Sequence, residues 1–313
     1  MKSFWQDLPQ PFFILAPMDA VTDIVFRHVV DKAARPDVFF TEFTNTDGYC
    51  SPKGRHSTHS RLLFTEDEQP LVAQIWGTVP EHFAEMAQGL KEMGYQAIDI
   101  NMGCPAKDVT KKGAGSALIQ TPELAAAIIA ATKTAGLPVS VKTRIGYRTR
   151  ITEEWISFLL QQDIVALTVH ARTMKEMSKV PAHWEEVTKA VKLRDEIAPH
   201  TLIIGNGDVT DREEGLRRIA ETGADGIMIG RGIFTNVFCF ESEPREHTKE
   251  ESFELLHYHL DLWEKTWKGE ANYHALKRFF KIYIKGFAGA SELREQLMLS
   301  SNIDEARDII AKA

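Results

Sequence analysis

From Phe12 to Thr210, short apolar runs alternate with longer amphipathic stretches, the pattern of βα units repeated around a parallel sheet. The runs predict eight strands, at 12–16, 38–42, 71–75, 97–100, 139–142, 166–170, 202–205 and 226–230. Helical periodicity fills most of the gaps, at 81–93, 123–135, 153–162, 184–196 and 211–222. Two of these helices carry start signals: Pro122 in the first turn after Thr121, and the capping stretch Thr210-Asp211-Arg212-Glu213. Eight such repeats in roughly 240 residues match a (β/α)8 TIM barrel, with an open doubly wound sheet as the competing architecture. Polar residues favour the barrel. Pro17 to Asp19, Glu42, Gln74, Asn101 and Cys104, Lys142 and Arg144, His170 and Arg172, Asn206 to Asp208, and Arg231 each lie at or just past the C-terminal end of a different run. That is the face on which barrels build their sites.

Beyond Phe240 no strand pattern recurs. An acidic hinge at 241–251 leads to helices predicted at 252–268, 274–285 and 292–298, so a small all-helical domain at 241–313 follows a barrel domain at 1–240. In the middle helix Leu276, Phe279, Phe280 and Tyr283 recur at i, i+3, i+4 and i+7 and form a buried stripe. Lys277, Arg278, Lys281 and Lys285 lie largely off it, as a solvated face would.

With 313 residues and 43% hydrophobic content, the chain is long enough for one large core and a small appendage. Its apolar runs are far shorter than the ~20 residues of a membrane-spanning helix. The opening Met1-Lys2-Ser3-Phe4-Trp5-Gln6-Asp7 is not a secretory leader, so a cytoplasmic location is expected. Cys50, Cys104 and Cys239 are odd in number and far apart, which excludes a disulfide framework and a CxxC site. A formal net charge of −7 argues against a uniformly basic nucleic-acid binder, although a basic face can sit on an acidic protein.

The most distinctive stretch is Ile98-Asp99-Ile100-Asn101-Met102-Gly103-Cys104-Pro105, a strand opening into a loop. Gly103 permits backbone angles closed to other residues and Pro105 fixes its own, so the thiol between them is held at the strand's mouth. Cys104 there is either a small buried hydrophobe or a functional group. Two glycine-rich loops, Gly205-Asn206-Gly207-Asp208 and Gly230-Arg231-Gly232, follow the last two strands, where barrels commonly hold a phosphate. Lys142 fits three roles: Schiff-base nucleophile, phosphate ligand, or positive partner of an electron-rich ring. His170 is a base, a ligand contact or a satisfied core imidazole. No metal is expected, because Asp, Glu and His do not gather at ligand spacing. No GxGxxG opens the first unit, which removes a dinucleotide fold.

These motifs together resemble the tRNA-dihydrouridine synthase family, flavin enzymes with a barrel and a helical C-terminal domain. The resemblance rests on Ala16 to Asp23, Thr41-Glu42-Phe43, Pro70 to Gly77, Asp99 to Pro105 with Gly113-Ala114-Gly115, Val141 to Arg144, His170 to Thr173, Gly205 to Asp208 and Ile229 to Gly232. Ala20 and Ala171 stand where relatives often have glycine, and the helical domain matches only loosely. The resemblance implies reduction of uridine to 5,6-dihydrouridine in tRNA: NADPH reduces FMN, flavin N5 delivers hydride to uracil C6, and Cys104 protonates C5 from the opposite face. It implies FMN contacts from Pro17, Met18, Gln74, Lys142, His170, Asn206, Gly207, Asp208, Gly230 and Arg231. Asn101, Arg144 and Arg172 are then expected at the uracil or its phosphate. Lys277, Arg278 and Lys281, with loop lysines and arginines such as Lys107, Lys111 and Arg148, are expected on the RNA, and a monomer is expected. Two alternatives carry different tests: an FMN barrel acting on a free pyrimidine or other small molecule, and an RNA-binding relative without catalysis.

Overall fold

The computed structural model describes residues 3–313. Eight parallel strands follow one another around a barrel: Phe12–Leu15, Phe39–Phe40, Leu71–Trp76, Ala97–Met102, Val139–Arg144, Ala166–His170, Leu202–Asn206 and Gly226–Ile229. The first pairs with the last, Phe12 opposite Gly226 and Leu15 opposite Ile229. The short second strand meets the first through a single bridge between Ile14 and Val38, with the Leu15 N–H donating to the Val38 carbonyl at 3.2 Å. A two-residue strand, Thr44–Asn45, extends that side along Leu71–Trp76. Each predicted strand is present, its ends within two residues of the expectation.

Two-residue alternation divides the core. Phe12, Ile14, Val38, Phe40, Val72, Ala97, Ala166, Ile204 and Met228 form one buried cluster inside the barrel, with Trp5 packed on Phe12 and Phe40. The alternate residues, including Phe13, Leu15, Phe39, Ala73, Ile75, Ile98 and Ile100, join the surrounding helices in a second cluster. Pro80–Glu92, Pro122–Lys133, Thr152–Leu160, Trp184–Ile197 and Arg212–Thr222 realise the predicted helices. The last is capped as its sequence requires: Asp211 accepts from the Glu214 N–H at 2.9 Å, and Gly223 ends it in the left-handed region.

The C-terminal segment departs from expectation in two places. The helix expected at 274–285 is a 3-10 helix, Tyr273–Phe279, running into one short α-turn, Phe280–Tyr283. The three-residue period of a 3-10 helix aligns Tyr273, Leu276 and Phe279 on one edge, so the apolar stripe stays buried under the tighter winding. A further helix, Ile303–Ile310, follows the expected three; its signal was Asn302, which caps Glu305 at 2.9 Å. Lys249–Trp267, started by a Thr248/Glu251 capping box, packs against Ile24–Ala33 of the first βα unit. Phe26 packs on Phe279 with the rings tilted and their centroids 4.6 Å apart, and Arg278 Nη1 donates to the Ala20 carbonyl at 2.8 Å. The helical segment is thus anchored to the first barrel loop. No helix among the described residues is long and apolar enough to cross a membrane.

Candidate active site at the barrel mouth

Strand register arranges the polar inward residues in rows. Gln74, Asp99 and Ser140 are partners across three strands; Asn101 and Lys142 pair one step higher; Arg144, His170 and Asn206 form the rim. Apolar side chains fill the barrel below, so polarity rises towards the C-terminal ends of the strands.

At the rim a cavity of about 370 Å³ is lined by Pro17, Met18, Lys142, Arg144, His170, Asn206, Gly207, Asp208, Gly230 and Arg231 among others. These come from five of the eight strand ends. Lys142 Nζ donates to Asn206 Oδ1 at 3.2 Å, and Asn206 Nδ2 donates to the Met228 carbonyl at 2.8 Å. Burial and the nearby Arg144 charge bring the Lys142 ammonium down to a pKa of about 8. Burial first, then the Arg144, Lys142, Arg172 and Arg231 charges, holds His170 well below the ordinary imidazole range. His170 is therefore neutral at physiological pH. Its buried Nδ1 has no partner, and neither has the buried Nη1 of Arg172. Of these two, His170 lines the cavity, and an orphaned polar atom beside Lys142, Arg144 and Arg231 fits a site for a polar, anionic ligand. Gly232 must be glycine here, since a Cβ would lie 2.5 Å from the Val209 carbonyl oxygen.

Cys104 does not line that cavity. Its turn lies beside it, with the Gly103 carbonyl accepting from Arg144 Nε at 2.7 Å and the Cys104 carbonyl accepting from the Ser116 N–H at 3.0 Å. The thiol is half-buried and burial raises it above the usual cysteine range, while the Arg144 and Lys142 charges pull the other way. The group is a protonated thiol beside two cations.

Several expected ligand contacts are turned to other partners. Asn101 accepts the Gly103 and Cys104 N–H groups at 3.1 and 2.9 Å and donates to Gln74 Oε1 at 2.9 Å. Gln74 is fully buried and donates to Asp99 Oδ2 at 2.7 Å. Arg172, also buried, donates through Nε to the Val180 carbonyl at 2.6 Å and through Nη2 to Asp208, so it sets the Asp208 carboxylate. Lys277 corrects the solvated-face reading: it is buried, with Nζ on the Met298 carbonyl at 2.7 Å, because that carbonyl at a helix end lacked a donor. Arg278 and Lys281 are exposed.

Sequence reading missed two polar clusters. Asp99 sits unannounced in an apolar strand, and a charge inside an Ala-Ile-Asp-Ile run was its signal. Arg61 bridges Asp19 at 2.6 Å and Glu42 at 3.2 Å, on the wall of a second cavity, about 730 Å³, between the first barrel loops and the helical segment. Trp263, Trp267 and Phe279 line it, together with His56 and His59.

The sequence matches the family model described as dihydrouridine synthase (Dus) over residues 14–313. It is 59% identical over 312 residues to a probable tRNA-dihydrouridine synthase of Staphylococcus epidermidis, covering 99% of this chain and 95% of that protein. It is 56% identical to the probable tRNA-dihydrouridine synthase 2 of Bacillus subtilis (strain 168), covering 99% and 96%. Among solved structures, a variant of NCR from Zymomonas mobilis superposes with a TM-score of 0.50 at 13% identity, over 80% of this chain and 95% of that one. A 6-hydroxypseudooxynicotine amine oxidase from Pseudomonas geniculata N1 gives 0.53 at 11% identity, over 76% of this chain and 49% of the other. At these identities the structural likeness shows a shared fold and nothing further.

Proposed function

Because the chain belongs to the dihydrouridine synthase family, we propose that it reduces uridine in tRNA to 5,6-dihydrouridine, with FMN as resident cofactor and NADPH as reductant. The observation that carries this reading is a half-buried thiol, Cys104, on a turn tied to Arg144 of a cationic cavity whose lining includes the unpartnered, buried Nδ1 of His170. The cavity's residues suit FMN: Arg231 and the 206–208 and 230–232 backbones for the phosphate, Lys142 and His170 for the ring, and Pro17 and Met18 along its edge. When bound, the flavin supplies the hydride for uracil C6.

This chain's own residues manage the proton. Cys104 keeps it at neutral pH and gives it to C5 as the ring accepts hydride. The thiolate left behind is stabilised by the Arg144 and Lys142 charges beside it, and solvent restores the proton. Arg144 also ties the Cys104 turn to the 173–177 loop, through the Thr173 carbonyl at 3.1 Å, and so keeps the donor in place. A uridine within folded RNA must leave its stack to reach this depth, which calls for a grip outside the mouth. Residues 1–240 form the catalytic domain in this reading and 241–313 the RNA-recognition domain. The cleft between them offers aromatic faces in Trp263 and Trp267, with exposed Arg278 and Lys281 on the helical side. A cytoplasmic monomer acting on the tRNA pool completes the proposal.

The test is direct. The purified protein should be yellow, absorbing near about 450 nm as flavins do. With NADPH it should convert a uridine of an unmodified tRNA transcript to a nucleoside two hydrogens heavier, resolved by mass spectrometry after nuclease digestion. A colourless protein, or one whose colour bleaches with NADPH while every uridine stays intact, overturns the reading.

A further inference from the structure

Asp99 is an ionisable side chain without solvent contact in the middle of the fourth strand, and the reaction outlined above gives it no role. Its two register partners hold it. Oδ1 accepts from Ser140 Oγ at 2.6 Å and Oδ2 accepts from Gln74 Nε2 at 2.7 Å. A carboxylate only accepts, so Gln74 has one choice of amide orientation. With Nε2 committed to Asp99, Gln74 Oε1 is left to face the rim, where it accepts from Asn101 Nδ2 at 2.9 Å. Asn101 is fixed in turn: its Oδ1 points at the backbone N–H groups of Gly103 and Cys104. Turning either amide over would set donor against donor at the next link.

We propose that Asp99 is a positioning residue for Cys104: its carboxylate sets the direction of a buried amide relay, Asp99 to Gln74 to Asn101, that clamps the turn carrying the thiol. Burial raises its pKa to about 6, and the hydrogen bonds from Ser140 and Gln74 with the Lys142 charge limit the rise, so the group stays mostly ionised at neutral pH. The relay explains why two amides at the strand ends are spent on the protein itself. It also gives a reason for an acid in the row below the rim: an acceptor on both sides admits one sense of the relay and no other. This deepens the reading above, since it rests on Cys104 as proton donor, but its test reads the thiol and not the turnover.

The experiment measures alkylation of Cys104 by iodoacetamide in the flavin-loaded protein at fixed pH. Peptide-resolved mass spectrometry follows half-buried Cys50 and buried Cys239 as internal references. Asp99→Leu removes the acceptor from Gln74 and should speed alkylation of Cys104 about fivefold, the change expected when one ordinary hydrogen bond is lost, with the two references unchanged. Asp99→Asn can still accept from Gln74 by turning its own amide NH2 to Ser140 Oγ, so it should stay within about twofold of the parent. Gln74→Leu cuts the relay one link further along and should match Asp99→Leu, which keeps the test alive if the latter does not fold. The proposal fails if the folded relay variants alkylate at the parent rate, if all three cysteines speed up together, or if Asp99→Asn reacts as fast as Asp99→Leu. These outcomes stand apart from whether the protein acts on uridine, because none requires RNA.

Discussion

Lys142 should set the alkaline limit of turnover. Burial, with Arg144 beside it, lowers its ammonium from 10.5 to about 8, against the opposing pull of Asp99 and Cys104. That difference is roughly 3 kcal/mol against the charged form. A lysine with a depressed pKa is charged below that value and loses its charge as pH rises through it. Between pH 7 and pH 9 the ammonium fraction therefore falls from about nine-tenths to about one-tenth. If the positive charge at this position serves the reaction, kcat/KM falls by the same order, roughly tenfold, across that window. Cys104 is not the cause, because burial has moved its titration above 9.0. The Lys142→Arg variant separates the two groups, since a guanidinium stays charged throughout. Whatever its absolute rate, its profile should remain flat to about pH 9 and bend only where the thiol titrates. The assay is dihydrouridine formation in a tRNA transcript at a series of pH values. A parent profile flat from pH 7 to 9, or an unmoved midpoint near 8 in Lys142→Arg, would refute the reasoning. The same shift carries a stability signature: between pH 8 and 10.5 the unfolded chain binds the proton that the folded one does not, so stability rises with pH in that window.

Other expectations follow from particular contacts. Arg27 and Glu68 form a fully buried pair at 2.7 Å, with the Arg27 Nη1 also on the Thr22 carbonyl at 2.8 Å. Glu68→Gln leaves the guanidinium uncompensated and should cost about 3 kcal/mol, while Arg27→Met with Glu68→Leu should recover most of the loss in a urea melt. Gly232→Ala drives a methyl into the Val209 carbonyl and should release the flavin, read as loss of colour on gel filtration with the fold intact by circular dichroism. Charge reversal at Lys281 should weaken tRNA retention and flatten its salt dependence without bleaching the protein, since that side chain is exposed and does not line the mouth. Unchanged tRNA affinity would remove that face from the RNA contact.

Much of this was legible in the chain. Eight apolar runs gave the barrel because each must be buried on both faces, and polar residues at their ends marked the mouth. Lys142, His170, Asn206, Asp208 and Arg231 meet around one cavity because all five stand just where their strands end. Spacing could not tell a side chain aimed at a ligand from one satisfied by its neighbour, so Gln74 and Asn101 read alike with the rest although hydrogen bonds within the protein occupy them. That distinction depends on which residue lies opposite across the sheet, a matter of register between segments tens of residues apart. Lys277 misled for a related cause: its partner, the Met298 carbonyl, belongs to a helix end whose position only packing fixes. The split of the 274–285 helix left the apolar stripe in place, since the same residues are buried by either winding.

The most direct test of the central claim compares the parent with Cys104→Ala on an unmodified tRNA transcript, under NADPH, with dihydrouridine counted by mass spectrometry. The account predicts that the variant stays yellow, is bleached by NADPH as fast as the parent, and forms dihydrouridine at least about a hundredfold more slowly, as loss of a general acid implies. Dihydrouridine formed at the parent rate by the alanine variant would contradict it.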